Sequence, residues 1–113
     1  MFSFLSRLTA GTPSIDVAEL DDLLKRGAIR VLDIREDREY KTGHVPGAIH
    51  IPVTLVPDRI GKLKRGKPYA VICQSGGRSV RATDFLLENG FEGSVTVRGG
   101  TEAWRKSGRP LVW

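Results

Sequence analysis

The chain has 113 residues, of which 40% are hydrophobic and 27% are charged, so it fits one compact domain and leaves little room for a second. The net charge of +5 is compatible with a small anionic substrate, whereas the basic residues are scattered and rarely interleaved with aromatic residues, which argues against a nucleic-acid partner. The single cysteine excludes an internal disulfide and a multi-cysteine metal cluster, and a thiol that must stay usable favours a reducing, cytoplasmic location.

The amino-terminal residues differ in character from the rest of the chain. Residues 1–13 are predicted to form an extension that precedes one domain over residues 14–113. The extension carries apolar side chains such as Phe2 and Phe4, but it is too short for a secretory core or a membrane span. We therefore expect no stable membrane span, and a weak contact of this segment with a membrane or a partner stays open.

The first predicted elements are a helix and a buried strand. A capping-box pattern over residues 16–19, followed by leucines at helical spacing, predicts a helix that ends near Gly27. The branched apolar run over residues 29–34 predicts a strand that is largely buried in a parallel sheet. The end of this strand delivers Asp33 and Arg35.

The remaining elements continue this alternation, although residues 53–63 fit no single element. In chain order we predict a short helix over 36–42, a strand over 48–51, a strand over 69–73, a helix over 79–89, a strand over 94–97 and a helix over 101–106. Strands that alternate with helices imply right-handed crossovers and a mainly parallel sheet. The sequence therefore predicts an α/β sandwich that binds ligands beyond the carboxyl ends of its strands.

The lone cysteine, Cys73, lies between the last residues of a predicted strand and a loop rich in glycine. This position predicts a reactive, accessible thiol, because glycines let backbone N–H groups turn inward as an anion-binding nest. A helix that begins near Ser79 would point its positive end at the same place and favour the thiolate. The alternative is a buried strand residue, since free cysteine is among the most buried residue types.

Four successive segments carry a family resemblance. They are DIRE at 33–36, GHVPGAIHIP at 43–52, CQSGGRS at 73–79 and GGTEAW at 99–104. In order and spacing they resemble the signatures of single-domain rhodanese-like sulfurtransferases, from about residue 15 to the carboxyl terminus. The resemblance implies a rhodanese-like three-layer sandwich, in which a central, mainly parallel sheet is flanked by helices.

The resemblance also implies the chemistry of the site. Cys73 matches the family's nucleophile, which carries sulfane sulfur as a persulfide from thiosulfate or a similar small anionic donor to cyanide or a thiol. No metal or organic cofactor is implied, and Arg78 would add positive potential for the donor. The residues that match the substrate-binding active-site loop are Gln74, Ser75, Gly76, Gly77, Arg78 and Ser79.

Asp33, Arg35 and Arg98 are candidates for supporting roles. Asp33 and Arg35 could orient the loop or the donor, although such strand-end residues more often satisfy backbone groups or pair with each other. Arg98 follows a strand end on the same face and could attract an anion, although a solvated arginine is the simpler interpretation.

The donor and the type of reaction stay open. Some relatives place basic side chains directly after the cysteine, where this chain has Gln74 and Ser75, so a protein persulfide is an alternative donor. Because there is no second cysteine, sulfur release relies on an external acceptor, and a protein-to-protein sulfur carrier or partner-binding module is an alternative function. A cysteine-dependent phosphatase is a weaker alternative, because such enzymes typically have a longer loop between cysteine and arginine than residues 74–77.

Overall fold

The computed structural model describes residues 11–113. Its strands are β1 (Ser14–Ile15), β2 (Arg30–Asp33), β3 (Ile49–His50), β4 (Tyr69–Ile72) and β5 (Val95–Val97). Its α-helices are α1 (Val17–Lys25), α2 (Asp37–Tyr40), α3 (Val56–Arg59), α4 (Gly77–Glu88) and α5 (Gly100–Lys106), with 3₁₀ turns at Val53–Leu55 and Ile60–Lys62. Most of the predicted amino-terminal extension, residues 1–10, lies outside the described residues.

The strands form one sheet in the order β1-β5-β4-β2-β3, and every pairing is parallel. Strand β4 lies at the centre, where Ala70 opposes Val31 of β2 on one side and Val95 of β5 on the other. All four residues of β4 are buried, as expected for a strand with a near-continuous apolar run. The predicted α/β fold with a central parallel sheet is confirmed.

Each face of the sheet has its own apolar core, because successive side chains of β4 point to opposite faces. Val71 belongs to a cluster that contains Leu86 of α4. Ile72 belongs to a second cluster that contains Leu20 of α1 and Trp104 of α5. Helices therefore cover the sheet on both sides, which gives the predicted three layers.

Three details differ from the sequence-based predictions. Strand β1 was not expected, because two residues are too few to carry a periodic pattern. Helix α4 begins at Gly77 rather than near Ser79, because Gly76 takes a φ of 111° that turns the chain directly into the helix. The unassigned residues 53–63 contain α3 and the two 3₁₀ turns.

Within residues 11–113, no helix has the length and apolar character needed to cross a bilayer.

Candidate active site

Cys73 lies immediately after β4, at the carboxyl end of the central strand. Its side chain is on the sheet face covered by α4, and the residue is only 1% exposed. The sequence predicts an accessible sulfur, and the structure instead buries it. The cause is the loop that follows, because it folds back over the sulfur: the Gly76 N–H donates to Cys73 Sγ at 3.1 Å.

The loop after Cys73 is held in this conformation by the start of α5. The Thr101 N–H donates to the Cys73 carbonyl at 2.9 Å, and the Glu102 N–H donates to the Gln74 carbonyl at 3.0 Å. Because α5 holds these two carbonyl groups, the loop can turn back so that the Gly76 N–H faces the sulfur. This arrangement supplies one main-chain donor of the predicted anion-binding nest.

Gly100 makes the close approach between α5 and the loop feasible. A Cβ atom at this position would collide with the Cys73 carbonyl oxygen and would lie 2.7 Å from the Gln74 carbonyl oxygen. Gly100 also has a φ of 59°, in the left-handed region that favours glycine. The Gly99-Gly100 pair therefore serves the active-site loop as well as the strand-to-helix turn.

The hydroxyl group of Ser79 lies next to the sulfur on its buried side and is bonded in turn to the hydroxyl group of Thr96. Ser79 Oγ is 3.5 Å from Cys73 Sγ, with the thiol as donor, and 2.6 Å from Thr96 Oγ1. Ser79 and Thr96 are both buried, so this short chain of polar groups is shielded from solvent. Once the thiol has lost its proton, the Ser79 hydroxyl lies at a distance from which it can donate to the sulfur instead.

Arg78 does not point freely at the cysteine. Its two terminal nitrogens donate to the two carboxylate oxygens of Glu39 at 2.9 and 2.8 Å. The hydrogen bond from Arg78 lowers the pKa of Glu39 from 4.5 to about 2, and Glu39 raises the pKa of Arg78 in turn. The expected positive potential of Arg78 is thus largely balanced by a carboxylate.

Asp33 and Arg35 form a completely buried ion pair with an N–O distance of 2.8 Å. Arg35 also donates to the Glu39 carbonyl at 3.1 Å, to the Gly43 carbonyl at 2.9 Å and to Gln74 Oε1 at 3.3 Å. The guanidinium therefore links the end of β2, the α2 segment and the loop after Cys73. Its burial leaves it no access to a donor, so the pair positions the loop.

Arg98 lies beside the loop, on the opposite side from Arg35. Its guanidinium donates to Ser14 Oγ at 2.7 Å and lies 3.7 Å from Glu19. It shares the lining of an open cavity of about 390 Å³ with Ser75 and Gly76. The structure thus brings Arg98 and the loop together around one space, with half of the Arg98 side chain exposed.

Glu39 is the residue at this site that sequence reasoning missed. It lies on the four-residue helix α2, whose start is stabilised because the Glu36 N–H donates to Glu39 Oε1 at 2.9 Å. The next residue, Tyr40, is stacked between His44 and His50, with ring centroids 3.6 and 4.1 Å away. The acidic pair three residues apart was a signal for a helix start, but it could not reveal a partner 39 residues later in the chain.

The described residues offer no evident metal site. Among residues 11–113, no group of three or more His, Cys, Asp or Glu side chains is arranged to hold a metal ion.

Comparison with known proteins agrees with this geometry. The family model for the rhodanese-like domain matches residues 16–107, which include Cys73 and its loop. The chain belongs to the rhodanese-like family. It is 38% identical over 109 residues to thiosulfate sulfurtransferase 16, chloroplastic, of Arabidopsis thaliana, covering 86% of this chain and 90% of that protein. It is 31% identical over 96 residues to a sulfurtransferase of Allochromatium vinosum, covering 85% and 84% of the two chains.

A solved structure supports the same assignment. The crystal structure of a rhodanese-related protein from Thermoplasma volcanium superposes on this chain with a TM-score of 0.83 at 39% sequence identity. The superposition covers 88% of this chain and 97% of that one. Together with the sulfurtransferase relatives, this similarity identifies a rhodanese-type sulfurtransferase.

Proposed function

We propose that Cys73 is the catalytic nucleophile and carries sulfane sulfur as a persulfide. The observation that carries this proposal is the 3.1 Å hydrogen bond from the Gly76 N–H to Cys73 Sγ at the carboxyl end of the central strand. A main-chain donor at this distance would stabilise negative charge on the sulfur, which the nucleophile needs before and after the transfer. The Ser79 hydroxyl, which accepts from the protonated thiol, would donate to the sulfur from the buried side after the thiol proton is lost.

The reaction proceeds in two displacement steps. The Cys73 thiolate attacks the outer sulfur of thiosulfate, the sulfur–sulfur bond of the donor breaks, and sulfite leaves with the bonding electron pair. The acceptor, cyanide or a thiol, then attacks the terminal sulfur of the persulfide. The bond between Cys73 Sγ and the terminal sulfur breaks, and Cys73 returns to the thiolate. The product is thiocyanate when the acceptor is cyanide and a new persulfide when it is a thiol.

Access to the sulfur requires the loop to move. Because Cys73 is 1% exposed, a donor reaches Sγ after residues 74–76 shift outward from their position over it. Gly76 and Gly77 give this segment the backbone freedom to do so. Ser75 and Gly76 line the cavity that also contains Arg98, so this cavity is the proposed binding place for the donor.

Three charged residues would have different roles in this reaction. Arg98 is the half-exposed cation beside the cavity and would attract an anionic donor, although Asp16 and Glu19 lie within 4 Å of it. Arg78 would fix the loop through Glu39 instead of contacting the donor directly. Arg35 would act through Gln74, as a positioning residue.

A protein-to-protein sulfur relay is the second candidate. It is favoured by the pairing of Arg78 with Glu39, because this pairing removes the cation that a small dianion would need next to the sulfur. The lone cysteine also makes an external acceptor necessary, and it fits a reducing compartment such as the cytoplasm. A phosphatase fits less well, because both terminal nitrogens of Arg78 are bonded to Glu39 and not directed at a phosphoryl site.

A thiocyanate assay tests the proposal. With thiosulfate and cyanide, the wild type should form thiocyanate and Cys73→Ser should form none. A protein persulfide tested in place of thiosulfate separates the relay from turnover of the free anion. Hydrolysis of a phosphate ester without thiocyanate formation would instead support the phosphatase and contradict the proposal.

A further inference from the structure

Basic residues occur along the whole sequence, but one short segment contains several of them and no acidic residue. Residues 59–67 contain five basic residues and no acidic residue: Arg59, Lys62, Lys64, Arg65 and Lys67. The chain has 18 basic and 13 acidic residues in total, so the other 13 basic residues equal the acidic ones in number. The net charge of +5 is therefore the charge of this segment, which we call the basic segment.

The cations of the basic segment are available to a partner. All five residues are exposed, and none of them forms an ion pair with another residue in the range 11–113. Within the described part of the chain, only the Arg65 side chain has partners: it donates to the Asn89 carbonyl at 3.1 Å and lies 4.1 Å over the Phe91 ring. In contrast, Arg35, Arg78 and Arg98 near the cysteine all have carboxylate partners.

A groove of about 660 Å³ runs beside the basic segment. Its cations are Arg30, Arg59, Lys62 and Lys64, and no carboxylate lines it. Arg30 Nη1 is buried and has no hydrogen-bond partner among the described residues, so one donor of this groove-lining cation is unsatisfied. The rest of the lining is mainly apolar and includes Leu24, Val31, Ile49 and Leu63.

Arg30, one of the cations of the groove, lies at the other end of the sheet from Cys73. Ile49 of the edge strand β3 and Ile51, which follows that strand, continue the groove along this edge. Arg30 is the first residue of β2, and the basic segment leads into the first residue of β4, whereas Cys73 follows the last residue of β4. In a parallel sheet these two ends are separated by the length of the strands, which is about 13 Å for four residues. A molecule bound to Arg30 and the adjoining end of the basic segment would therefore leave the cysteine uncovered.

We propose that this groove binds an acidic segment of a partner protein that also carries aliphatic side chains. Four cations without a carboxylate are complementary to several carboxylates, and the apolar lining is complementary to leucine-like side chains. Strand β3 is at the sheet edge and, among residues 11–113, pairs only with β2. It therefore also offers main-chain groups next to the exposed Ile49. The bound segment would hold the partner at the groove while the persulfide at Cys73 stays available to it. Binding at the groove would therefore raise the effective concentration of the partner's sulfur acceptor or donor at Cys73.

Two other anionic partners fit the groove less well. Single-stranded nucleic acid needs aromatic rings for base stacking, but Phe91 beside the basic segment is already covered by Arg65 and Tyr69 is completely buried. An anionic membrane needs several apolar side chains that project from the surface, whereas Ile49 alone among the named apolar residues is exposed and Val31 and Leu63 are buried in the groove. Both partners are alternatives that the experiment below distinguishes.

The test is a fluorescence-anisotropy titration with a synthetic peptide that repeats Glu-Glu-Leu, alongside one that repeats Glu-Glu-Ser. The wild type should bind the leucine peptide more tightly, and the triple variant R59Q/K62Q/K64Q should bind it about tenfold or more weakly. The matched control K41Q/R81Q/R105Q loses the same charge from exposed residues outside the groove and should stay within about twofold of the wild type. Amide shifts in NMR spectra should change at Ile49 and Leu63 on binding.

The proposal is overturned if the control variant weakens binding as much as the triple variant, or if the two peptides bind equally. It is also overturned if vesicles of phosphatidylglycerol or oligothymidylate bind the groove more tightly than the leucine peptide. Thiocyanate formation by the folded triple variant should equal that of the wild type. This inference rests on the proposed sulfur transfer, but peptide binding should persist in Cys73→Ser. A failure of peptide binding is therefore distinguishable from a failure of sulfur transfer.

Discussion

Replacing Glu39 with Gln removes the charge that fixes Arg78 at the end of the active-site loop. The carboxylate accepts two hydrogen bonds from Arg78, and these lower the pKa of Glu39 from 4.5 to about 2. Each pKa unit corresponds to about 1.4 kcal/mol, so the full lowering would correspond to about 3 kcal/mol of stability. The Glu39 and Arg78 side chains are 27% and 38% exposed, and solvent screening reduces the expected contribution to about 1–2 kcal/mol.

The pH dependence of this contribution has a definite sign. Because the folded protein lowers the pKa of Glu39, the stabilisation is complete above the unfolded value of 4.5 and disappears as the pH falls through about 2. Glu39→Gln should therefore unfold about 1–2 kcal/mol more easily than the wild type near neutral pH. The difference should shrink progressively below a pH of about 4.5.

Urea unfolding followed by tryptophan fluorescence measures this difference, since Trp104 is buried in the folded protein. Glu92→Gln is the matched control, because Glu92 is exposed and has no ion pair with another residue of the described chain. A destabilisation of Glu39→Gln that is the same at acidic and neutral pH would refute the assignment to the ion pair. Equal pH profiles of unfolding for Glu39→Gln and Glu92→Gln would also refute this assignment.

Three further substitutions test how the loop is held. Asp33→Asn leaves the buried Arg35 without its carboxylate and should lower the free energy of unfolding by about 3 kcal/mol or more in urea titrations; a loss below about 1 kcal/mol would contradict this. Gly100→Ala should displace the loop and abolish thiocyanate formation. The control Gly61→Ala, where a Cβ meets no atom within 4 Å, should keep this activity. Equal activity of the two variants would show that the close approach at Gly100 is unimportant. Ser79→Ala should slow persulfide formation about tenfold in stopped-flow measurements, and an unchanged rate would remove the hydroxyl from the mechanism.

The sequence predicted the framework of the site well because that framework depends on local patterns. The buried run of β4 followed by glycines fixed the place of Cys73, and the capping box of α1 is present with Asp16 and Glu19 in their expected roles. The alternation of helices and strands was sufficient for the parallel sheet. These features involve residues that are close together in the chain.

The contacts that determine the chemistry of the loop were less accessible to sequence reasoning. Glu39 and Arg78 are 39 positions apart, and nothing in either local pattern indicates that they pair. The burial of Cys73 depends on the amides of Thr101 and Glu102, which come from a helix at the far end of the chain. The sequence associates the charge of +5 with an anionic substrate, yet the cation closest to the cysteine in sequence, Arg78, is paired with a carboxylate.

Mass spectrometry of the intact protein after treatment with thiosulfate most directly tests whether Cys73 carries sulfur. The wild type should gain the mass of one sulfur atom, fragmentation should place it on Cys73, and addition of cyanide should remove it with formation of thiocyanate. Cys73→Ser should show no such adduct. A wild-type protein that stays unmodified by thiosulfate and by a persulfide donor, while its fold is intact, would contradict the proposed persulfide chemistry.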